Sequence, residues 1–372
     1  MQKIINGIER LQEILETIGC RKLFMVIDSS YPFLNIKDSI QETAVTKVCF
    51  SDFTPNPLFE DVCKGINLFQ DEHCDAILAV GGGSSIDVAK CIKLAVLASV
   101  GRESLIPPLV TNRLDIDGTR MPFIAIPTTA GTGSESTHNA VMYYKGAKQT
   151  VTNDGILPDY AILEPSVLKT LPLYQKKCTM MDALCQGMES WWSVNSTDKS
   201  RDYSKTAVEL ITRYWRSYIF ENDSLAAAQV MTAANYAGRA INISATTAAH
   251  AMSYKITSMY KIPHGHAVAV CLPRIWEYMV AHPEKCIDPR GQKFMQRIFD
   301  SISDSLGTGN PYEAIDYFRS MMAQLELYDP AATNREDELT VLAGSVNPIR
   351  LMNNPVELTH DVLYQLYDTI VK

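Results

Sequence analysis

In the stretch 181–190, MDALCQGMES, an aspartate and a glutamine stand four residues apart. On a helix that spacing stacks the two side chains on one face about one turn apart, so Asp182 and Gln186 reach a single point, as a metal ion or a substrate requires. Two histidines follow, His250 in TAAHAMSY and His264 in KIPHGHAV, separated by a helical segment and a Pro-His-Gly turn. Carboxylate, amide oxygen and two imidazoles form a borderline-hard set of two oxygens and two nitrogens that suits Zn²⁺ or Fe²⁺ and leaves space for a substrate oxygen. A single histidine is more often a hydrogen-bonded structural residue, and only the combination points to a metal. His266, two residues beyond His264, can approach the same point. His73, His138, His282 and His360 have no motif around them and are read as structural.

A second kind of chemistry lies upstream. DAILAVGGGSSIDVAK runs from a buried strand (Ala76 to Val80) through Gly81, Gly82 and Gly83 into a helix begun by Ser84 or Ser85. Glycines let the backbone approach an anion, and the first amides of the helix point at it, so the loop suits a dinucleotide pyrophosphate. A tight strand-to-helix turn with a serine cap has the same pattern. The GxGxxG spacing is absent, so this is not the ordinary Rossmann fingerprint. Another loop, IPTTAGTGSEST, follows a β run at 123–127. Its Thr128, Thr129, Thr132 and Ser134 are short donors able to surround a ribose or nicotinamide, or to populate a surface loop. Asp28 ends the LFMVID strand, where a carboxylate can accept from a ribose diol and repel a 2′-phosphate, or cap a turn.

The elements that must carry these residues fall into two textures. Up to about residue 165, short β-rich runs (KLFMVIDSS, TKVCFSDF, DAILAVGGG, MPFIAIPTT) alternate with helical patterns, which predicts a parallel sheet wound with helices. From about residue 174 the chain is Ala-, Met- and Leu-rich and helical, as in SLAAAQVMTAANYAGRAINISATTAAHAMSYKI. The join falls in LPDYAILEPSVLKTLPLYQ, where three prolines interrupt helix propensity. The expected division is 1–165, an α/β dinucleotide-binding domain with a Rossmann-like sheet, and 166–372, an all-α metal- and substrate-binding domain. A length of 372 residues, 46% of them hydrophobic, supports two cores. The opening MQKIINGIERLQEILETIGC reads as an amphipathic helix with no signal peptide. A net charge of -8 without a long Lys/Arg run makes nucleic acid an unexpected partner, and no stretch approaches the ~20 apolar residues of a membrane span. Nine cysteines without a CxxC pair read as reduced thiols of a cytoplasmic protein.

The segments PNPLFE, GGGSSIDVAK, PTTAGTGSE, LPDYAILEP, DALCQGMES and HAMSYKITSMYKIPHGHAVAVCLP occur in that order over about residues 53 to 273. In them the chain resembles the iron-containing (group III) alcohol dehydrogenase family, related to glycerol dehydrogenase and dehydroquinate synthase. The resemblance implies an N-terminal α/β dinucleotide-binding domain and a helical C-terminal domain, with NAD(P)(H) and a divalent metal in the cleft between them. Carried over by position, it makes Asp182, His250 and His264 metal ligands; either Gln186 coordinates through its oxygen as a fourth, or three protein ligands plus water hold the ion, as in the glycerol dehydrogenase branch. Gly82, Gly83, Ser84 and Asp87 take the pyrophosphate region, Thr128, Thr129 and Thr132 the nicotinamide side, and Asn56, Asp28 and Lys148 further parts of the cofactor. An aspartate at position 28 favours NADH over NADPH.

Three positions depart from the pattern. Gln186 stands where iron-dependent members have histidine, and Tyr254 where many have a second histidine near the nicotinamide. Ala245 replaces a lysine usual in the phosphonoacetaldehyde and sulfoacetaldehyde reductase branch, which the chain resembles most. If that lysine meets the substrate's anion, Arg239, Lys255 or a neutral set around Asn195, Ser244, Thr246 and Thr247 must substitute. The implied activity is reversible reduction of a short aldehyde by NADH with Fe²⁺, Zn²⁺ or Mn²⁺ as Lewis acid, in a cytoplasmic homodimer. The alternatives are a dehydrogenase of neutral alcohols or polyols, a non-redox lyase like dehydroquinate synthase, and a nucleotide-binding protein that kept the fold without the chemistry. The intact Asp182, His250 and His264 argue against the last.

Overall fold

The two textures become two units in the computed structural model, which describes residues 2–98, 120–145 and 147–372. The chain clusters into Met1–Leu171 and Pro172–Lys372. The first contains β1 (Lys3–Asn6), α1 (Leu11–Thr17), β2 (Lys22–Ile27), α2 (Lys37–Gln41), β3 (Thr46–Phe50), α3 (Phe59–Asp71), β4 (Ala76–Gly81), α4 (Gly83–Leu97), β5 (Phe123–Pro127), a hairpin of β6 (Asn139–Tyr144) and β7 (Ala147–Thr152), and β8 (Tyr160–Leu163). Six strands form one parallel sheet in the order β1-β8-β5-β4-β2-β3. Every residue of β4 and β5 is buried, which explains why both read as continuous apolar runs rather than as alternation. Adjacent strands β5, β4 and β2 run parallel, so Thr128, Gly82 and Asp28 all leave the sheet at its carboxyl edge, where open α/β sheets bind ligands.

One reading changes here. The opening segment is not one helix. KIIN pairs in parallel with β8, from Lys3 opposite Tyr160 to Asn6 opposite Leu163, and Gly7 at φ 87° turns the chain before the short α1. The β6–β7 hairpin was not anticipated. By their contacts, residues 164–170 group with the first unit, Met1–Leu171. Glu164 accepts from the Ile8 amide at 3.1 Å, and Asn35 Nδ2 donates to Ser166 Oγ at 2.8 Å.

The second unit is helical: α5 (Leu173–Trp192), α6 (Asp198–Phe220), α7 (Ser224–Ser244), α8 (Ala248–Tyr260), α9 (His264–Ala281), α10 (Gln292–Leu306), α11 (Pro311–Gln324), α12 (Arg335–Gly344), α13 (Pro348–Leu351) and α14 (His360–Ile370). Helix α5 is buried on every face from Lys176 to Trp192, and α6, α7 and α9 pack around it. Its last residue, Trp192, meets Trp276 and Phe299 at 5.9 and 6.1 Å between ring centroids, contacts worth about 0.5–1.5 kcal/mol each beyond the area they bury. The Ala-rich stretch does not continue as one helix. It breaks at Ala245, which adopts φ 58° and ψ 176°, while Asn353 Nδ2 donates to the carbonyls of Ser244 and Thr246 on either side, each at 2.8 Å. That side chain replaces the helical bonds the two carbonyls forgo. Among the described residues, no helix is long and apolar enough to cross a membrane.

Candidate metal centre and cofactor loops

The central helix α5 presents Asp182 and Gln186 on one face, as their spacing predicts. His250 sits in the first turn of α8, immediately after the break at Ala245, and His264 opens α9 behind Pro263. Gly265 lets α9 come this close to α5: a Cβ there would lie 2.0 Å from the Cys178 carbonyl oxygen and 2.9 Å from Asp182 Cβ. Asp182, His250 and His264 each offer one ligand atom, and the three atoms lie within 4.8 Å of one another. Asp182 Oδ1 is 3.4 Å from His250 Nε2 and 4.0 Å from His264 Nε2.

Asp182 Oδ1, Gln186 Oε1 and His250 Nε2 are buried and make no hydrogen bond. Leaving such atoms unsatisfied costs about 1–3 kcal/mol each, so three of them on one cluster indicate a missing common partner. A divalent cation fits them: two are anionic or amide oxygens, and one is an imidazole nitrogen. The side chain of His264 is 35% exposed against 4% for Asp182, which makes the histidine the open side of the cluster. The electrostatics agree. Burial opposes charge on Asp182, but His250 and His264 outweigh it and lower its pKa. Burial likewise opposes charge on His250, and Glu189 with Asp182 overcomes it, raising the imidazole to about 9. Asp182 and Glu189 thus favour a positive charge at this cluster.

Glu189 is the residue that the motif reading missed. It is fully buried, three residues beyond Gln186 and seven beyond Asp182, on the same helical face. Its Oε2 bonds His250 Nδ1, while its Oε1 accepts from Thr247 N at 3.0 Å, Thr247 Oγ1 at 2.9 Å and His250 N at 3.2 Å. The signal was present in DALCQGMES, where positions i, i+4 and i+7 all carry metal-type side chains.

His266 does not join the cluster. Its Nδ1 bonds the Tyr174 hydroxyl at 2.9 Å and its Nε2 the Tyr328 carbonyl at 2.8 Å, so both ring nitrogens are committed elsewhere. Tyr254 stacks on His264 at 5.6 Å and 8° between ring planes, and its hydroxyl accepts from Arg350 of α13 at 3.2 Å. Of the residues proposed to replace the absent lysine at 245, Arg239 is bound to Tyr203 at 2.7 Å. Ser244 and Asn195 are tied into the network of Ser190, Ser193 and Asn353, and Thr247 bonds Glu189. Lys255 sits half-buried on α8.

In the first unit the structure brings the two loops together. Helix α4 begins at Gly83, one residue earlier than expected, with Gly82 as its N-cap and no serine side-chain cap. The serines do other work: Ser84 Oγ accepts from the Asn56 amide at 3.3 Å, and Ser85 Oγ donates to Asp28 Oδ2 at 3.0 Å. A Cβ on Gly81 would meet Ser85 Oγ at 2.2 Å and Asp28 Oδ2 at 2.5 Å. One on Gly83 would press on Thr132 at 3.0 Å, whereas one on Gly82 would find nothing nearer than Thr129 at 3.7 Å. The space over Gly82 is therefore open beside the first turn of a helix, where a phosphate meets first-turn amides and the positive end of the dipole. Thr128 donates its amide to the Gly81 carbonyl at 3.0 Å, joining the second loop to the first.

Two cofactor candidates hold more internal bonds than expected. Asp28 accepts from the amide and hydroxyl of Ser30, the Gly82 amide and Ser85. Asp87 accepts from Ser134 Oγ at 2.7 Å and the Val141 amide at 3.0 Å. Burial raises the Asp87 pKa, with Lys90 and Lys148 pulling the other way. A carboxylate so engaged fixes the second loop and the hairpin rather than meeting an anion. Lys148 lies on β7 opposite Tyr143. The buried Lys90, which closes the GGGSSIDVAK motif, donates to Ser134, Thr137 and the Asn139 carbonyl.

Comparison with known proteins agrees with both units. Residues 2–165 match the iron-containing alcohol dehydrogenase family, and residues 177–371 match the C-terminal domain of the Fe-containing alcohol dehydrogenase family. The chain is 32% identical over 312 residues to a phosphonoacetaldehyde reductase of Streptomyces viridochromogenes, spanning 78% of this chain and 75% of that protein. It is 31% identical over 316 residues to a 1,3-propanediol dehydrogenase of Citrobacter freundii, spanning 80% and 78%. A sulfoacetaldehyde reductase of Bifidobacterium kashiwanohense, solved in complex with NAD⁺, superposes with a TM-score of 0.84 at 25% identity over 99% of this chain and 96% of that one. With a parallel sheet, a helical second unit and these matches along its whole length, the chain belongs to the iron-containing alcohol dehydrogenase family.

Proposed function

We propose that this enzyme reduces a short aldehyde to its alcohol, reversibly, with NADH and a bound divalent metal. The observation that carries the reading is the group of buried atoms without hydrogen bonds, Asp182 Oδ1, Gln186 Oε1 and His250 Nε2, with His264 Nε2 beside them on the open side. Asp182, His250 and His264 would hold the ion, and Gln186 would add its amide oxygen. Bound there, Fe²⁺, Zn²⁺ or Mn²⁺ supplies Lewis acidity to a carbonyl oxygen, and the nicotinamide supplies the hydride. The residues of the chain position these groups. Gly82, Gly83 and Ser84 offer backbone to the pyrophosphate, and Asn56 approaches Ser84 across the loop. Thr128, Thr129 and Thr132 lie on the nicotinamide side, with Lys148 on the hairpin beyond and Asp87 securing the loop between them. Asp28, at the end of β2, disfavours a 2′-phosphate by its charge. The NAD⁺ in the sulfoacetaldehyde reductase structure supports the same choice.

For the substrate, the named relatives act on a phosphonate, a sulfonate and a neutral diol. An anionic two-carbon aldehyde is favoured by Arg350, whose guanidinium lies 5.3 Å from the centre of the Tyr254 ring that stacks on His264. Nine free cysteines support a reducing, cytoplasmic setting, and the homodimer follows the family resemblance. The test is NADH oxidation by protein reconstituted with each of the three metals, against phosphonoacetaldehyde, sulfoacetaldehyde, glycolaldehyde and butyraldehyde. Preference for the two anions, reduced at least tenfold by Arg350→Ala through KM, supports the reading. Turnover of neutral aldehydes alone moves the substrate to the alcohol or diol class. No turnover with any metal rejects the reductase.

A further inference from the structure

We propose that Glu189 is the positioning residue of the metal centre: it fixes His250 in the single tautomer that leaves Nε2 open to the ion. The proposal rests on the metal reading above and goes beyond it, because Glu189 is not itself among the atoms that converge on the ion. The argument is one of hydrogen-bond parity. An ionised carboxylate only accepts, and three of the four polar atoms that meet Glu189, two backbone amides and a hydroxyl, have a hydrogen to give. Oε1 takes the amides of Thr247 and His250 and the Thr247 hydroxyl. The direction of that hydroxyl is also settled, since Trp192 Nε1 is a donor only and reaches Thr247 Oγ1 at 2.9 Å, so the Thr247 hydrogen turns to Glu189. Oε2 is left for His250 Nδ1, which must therefore carry its hydrogen. A neutral imidazole with hydrogen on Nδ1 has a bare lone pair on Nε2, the nitrogen that faces Asp182 Oδ1 at 3.4 Å.

Helix α5 thus contributes on two levels. Asp182 and Gln186 face the ion, and Glu189, one turn further on, sets the ligand that comes from α8. All four donors to Glu189 belong to Thr247 and His250, just after the strained Ala245, so the same carboxylate also anchors the turn from which His250 projects. The arrangement is a carboxylate–histidine pair behind a metal, and loss of such partners typically weakens metal binding by about 10- to 100-fold.

The exchange Glu189→Gln isolates the tautomer, because it keeps the volume and changes one acceptor into a donor. If the amide oxygen stays on Thr247, the NH₂ group meets His250 Nδ1 and drives its hydrogen to Nε2, where the ion belongs. If the amide flips, the backbone donors lose their acceptor. The experiment measures the zinc dissociation constant by competition with a chelator, in wild type and Glu189→Gln. Alongside it, the Nδ1 proton is recorded by NMR of the zinc-loaded, ¹⁵N-histidine-labelled protein. The expected result is a dissociation constant raised about 10- to 100-fold, a displaced or missing His250 Nδ1 proton signal, and unchanged far-UV circular dichroism and NADH affinity. Zinc affinity within threefold of wild type, with the signal in place, overturns the proposal. Should the glutamine variant fail to fold, Thr247→Val serves instead. It removes one donor and leaves the carboxylate, and is expected to weaken zinc binding a few-fold and shift the same signal; no change in either rejects the assignment. Wild-type protein that binds no zinc, iron or manganese rejects the metal reading itself, whereas metal held equally by wild type and variant rejects only the role of Glu189.

Discussion

The glycine loops of the first unit and the Asp-His-His cluster of the second satisfy their polar groups in opposite ways. Asp28 and Asp87 accept from the loops and hairpin of their own unit, four bonds on the first and two on the second, so these carboxylates are satisfied from within and the region offers a ligand backbone and open space. The cluster on α5, α8 and α9 instead keeps three buried atoms unpaired, the pattern that a divalent ion would complete. A site of the first kind is recognised by what a side chain would obstruct, and one of the second kind by what is unsatisfied. The first should therefore hold its shape without its ligand, and the second should gain stability when filled.

The sharpest way to break the comparison is to give each region a methyl group. Gly265→Ala places a Cβ 2.0 Å from a backbone carbonyl, which cannot rotate away, and forces α9 off α5. Metal retention and turnover should fall by at least 100-fold while NADH affinity, by fluorescence titration, stays within threefold; a variant that keeps its metal would show that the helix approach is not what assembles the cluster. Gly81→Ala is the mirror change, and its effect should be smaller because the obstruction is the Ser85 hydroxyl, 2.2 Å away on a side chain that can turn. NADH affinity should drop roughly 10-fold through loss of the Asp28–Ser85 arrangement, with metal content unchanged, about 1.4 kcal/mol of cofactor binding. If both variants lose both ligands, the two regions are not independent.

The unsatisfied site also has a pH signature. The folded value of His250, about 9, lies above the 6.5 of a free imidazole. Its protonation thus stabilises the metal-free protein fully below pH 6.5, and that contribution disappears as pH rises through 9. Metal binding below pH 9 must release this proton. Thermal melts from pH 6.5 to 9.5 should show the metal-free protein losing up to about 3 kcal/mol, several degrees, and the zinc-loaded protein holding nearly level. A widening gap with pH is the expected result, and a constant gap would remove His250 as the titrating ligand.

The smallest change sharpens the contrast without touching a ligand. Ala245 at φ 58° and ψ 176° occupies a region nearly exclusive to glycine, a strain of about 1–3 kcal/mol. Ala245→Gly should stabilise the protein by about 1 kcal/mol in urea, the relief exceeding the added freedom of the unfolded chain. Destabilisation would mean that the alanine methyl contributes packing that outweighs the strain.

The residues differ in how much of this could be read ahead of the structure. Asp182 and Gln186 were legible because helical periodicity alone puts them side by side, and His250 and His264 because each stands in a distinctive local pattern. Glu189 obeys the same periodicity yet went unnoticed, since a glutamate on a helix is ordinarily a solvated residue and only burial gives it meaning. His266 failed for the converse reason: its position beside His264 was suggestive, but Tyr174 and the Tyr328 carbonyl, 92 and 62 residues away, claim its ring. The opening KIIN has apolar residues compatible with both a helix and a strand, and its pairing with a segment more than 150 residues later decided for the strand.

By itself, the sequence determined the two textures, the parallel sheet with its glycine turn, the helical second half and the family, because each depends on local periodicity or on backbone freedom at named glycines. Only the tertiary structure decided which polar atoms are buried and unpaired, which histidine turns away, how Ala245 is held in its strained turn and which carboxylate stands behind His250. Those properties depend on partners far apart in the chain. Burial and hydrogen-bond parity exist only after the helices have packed.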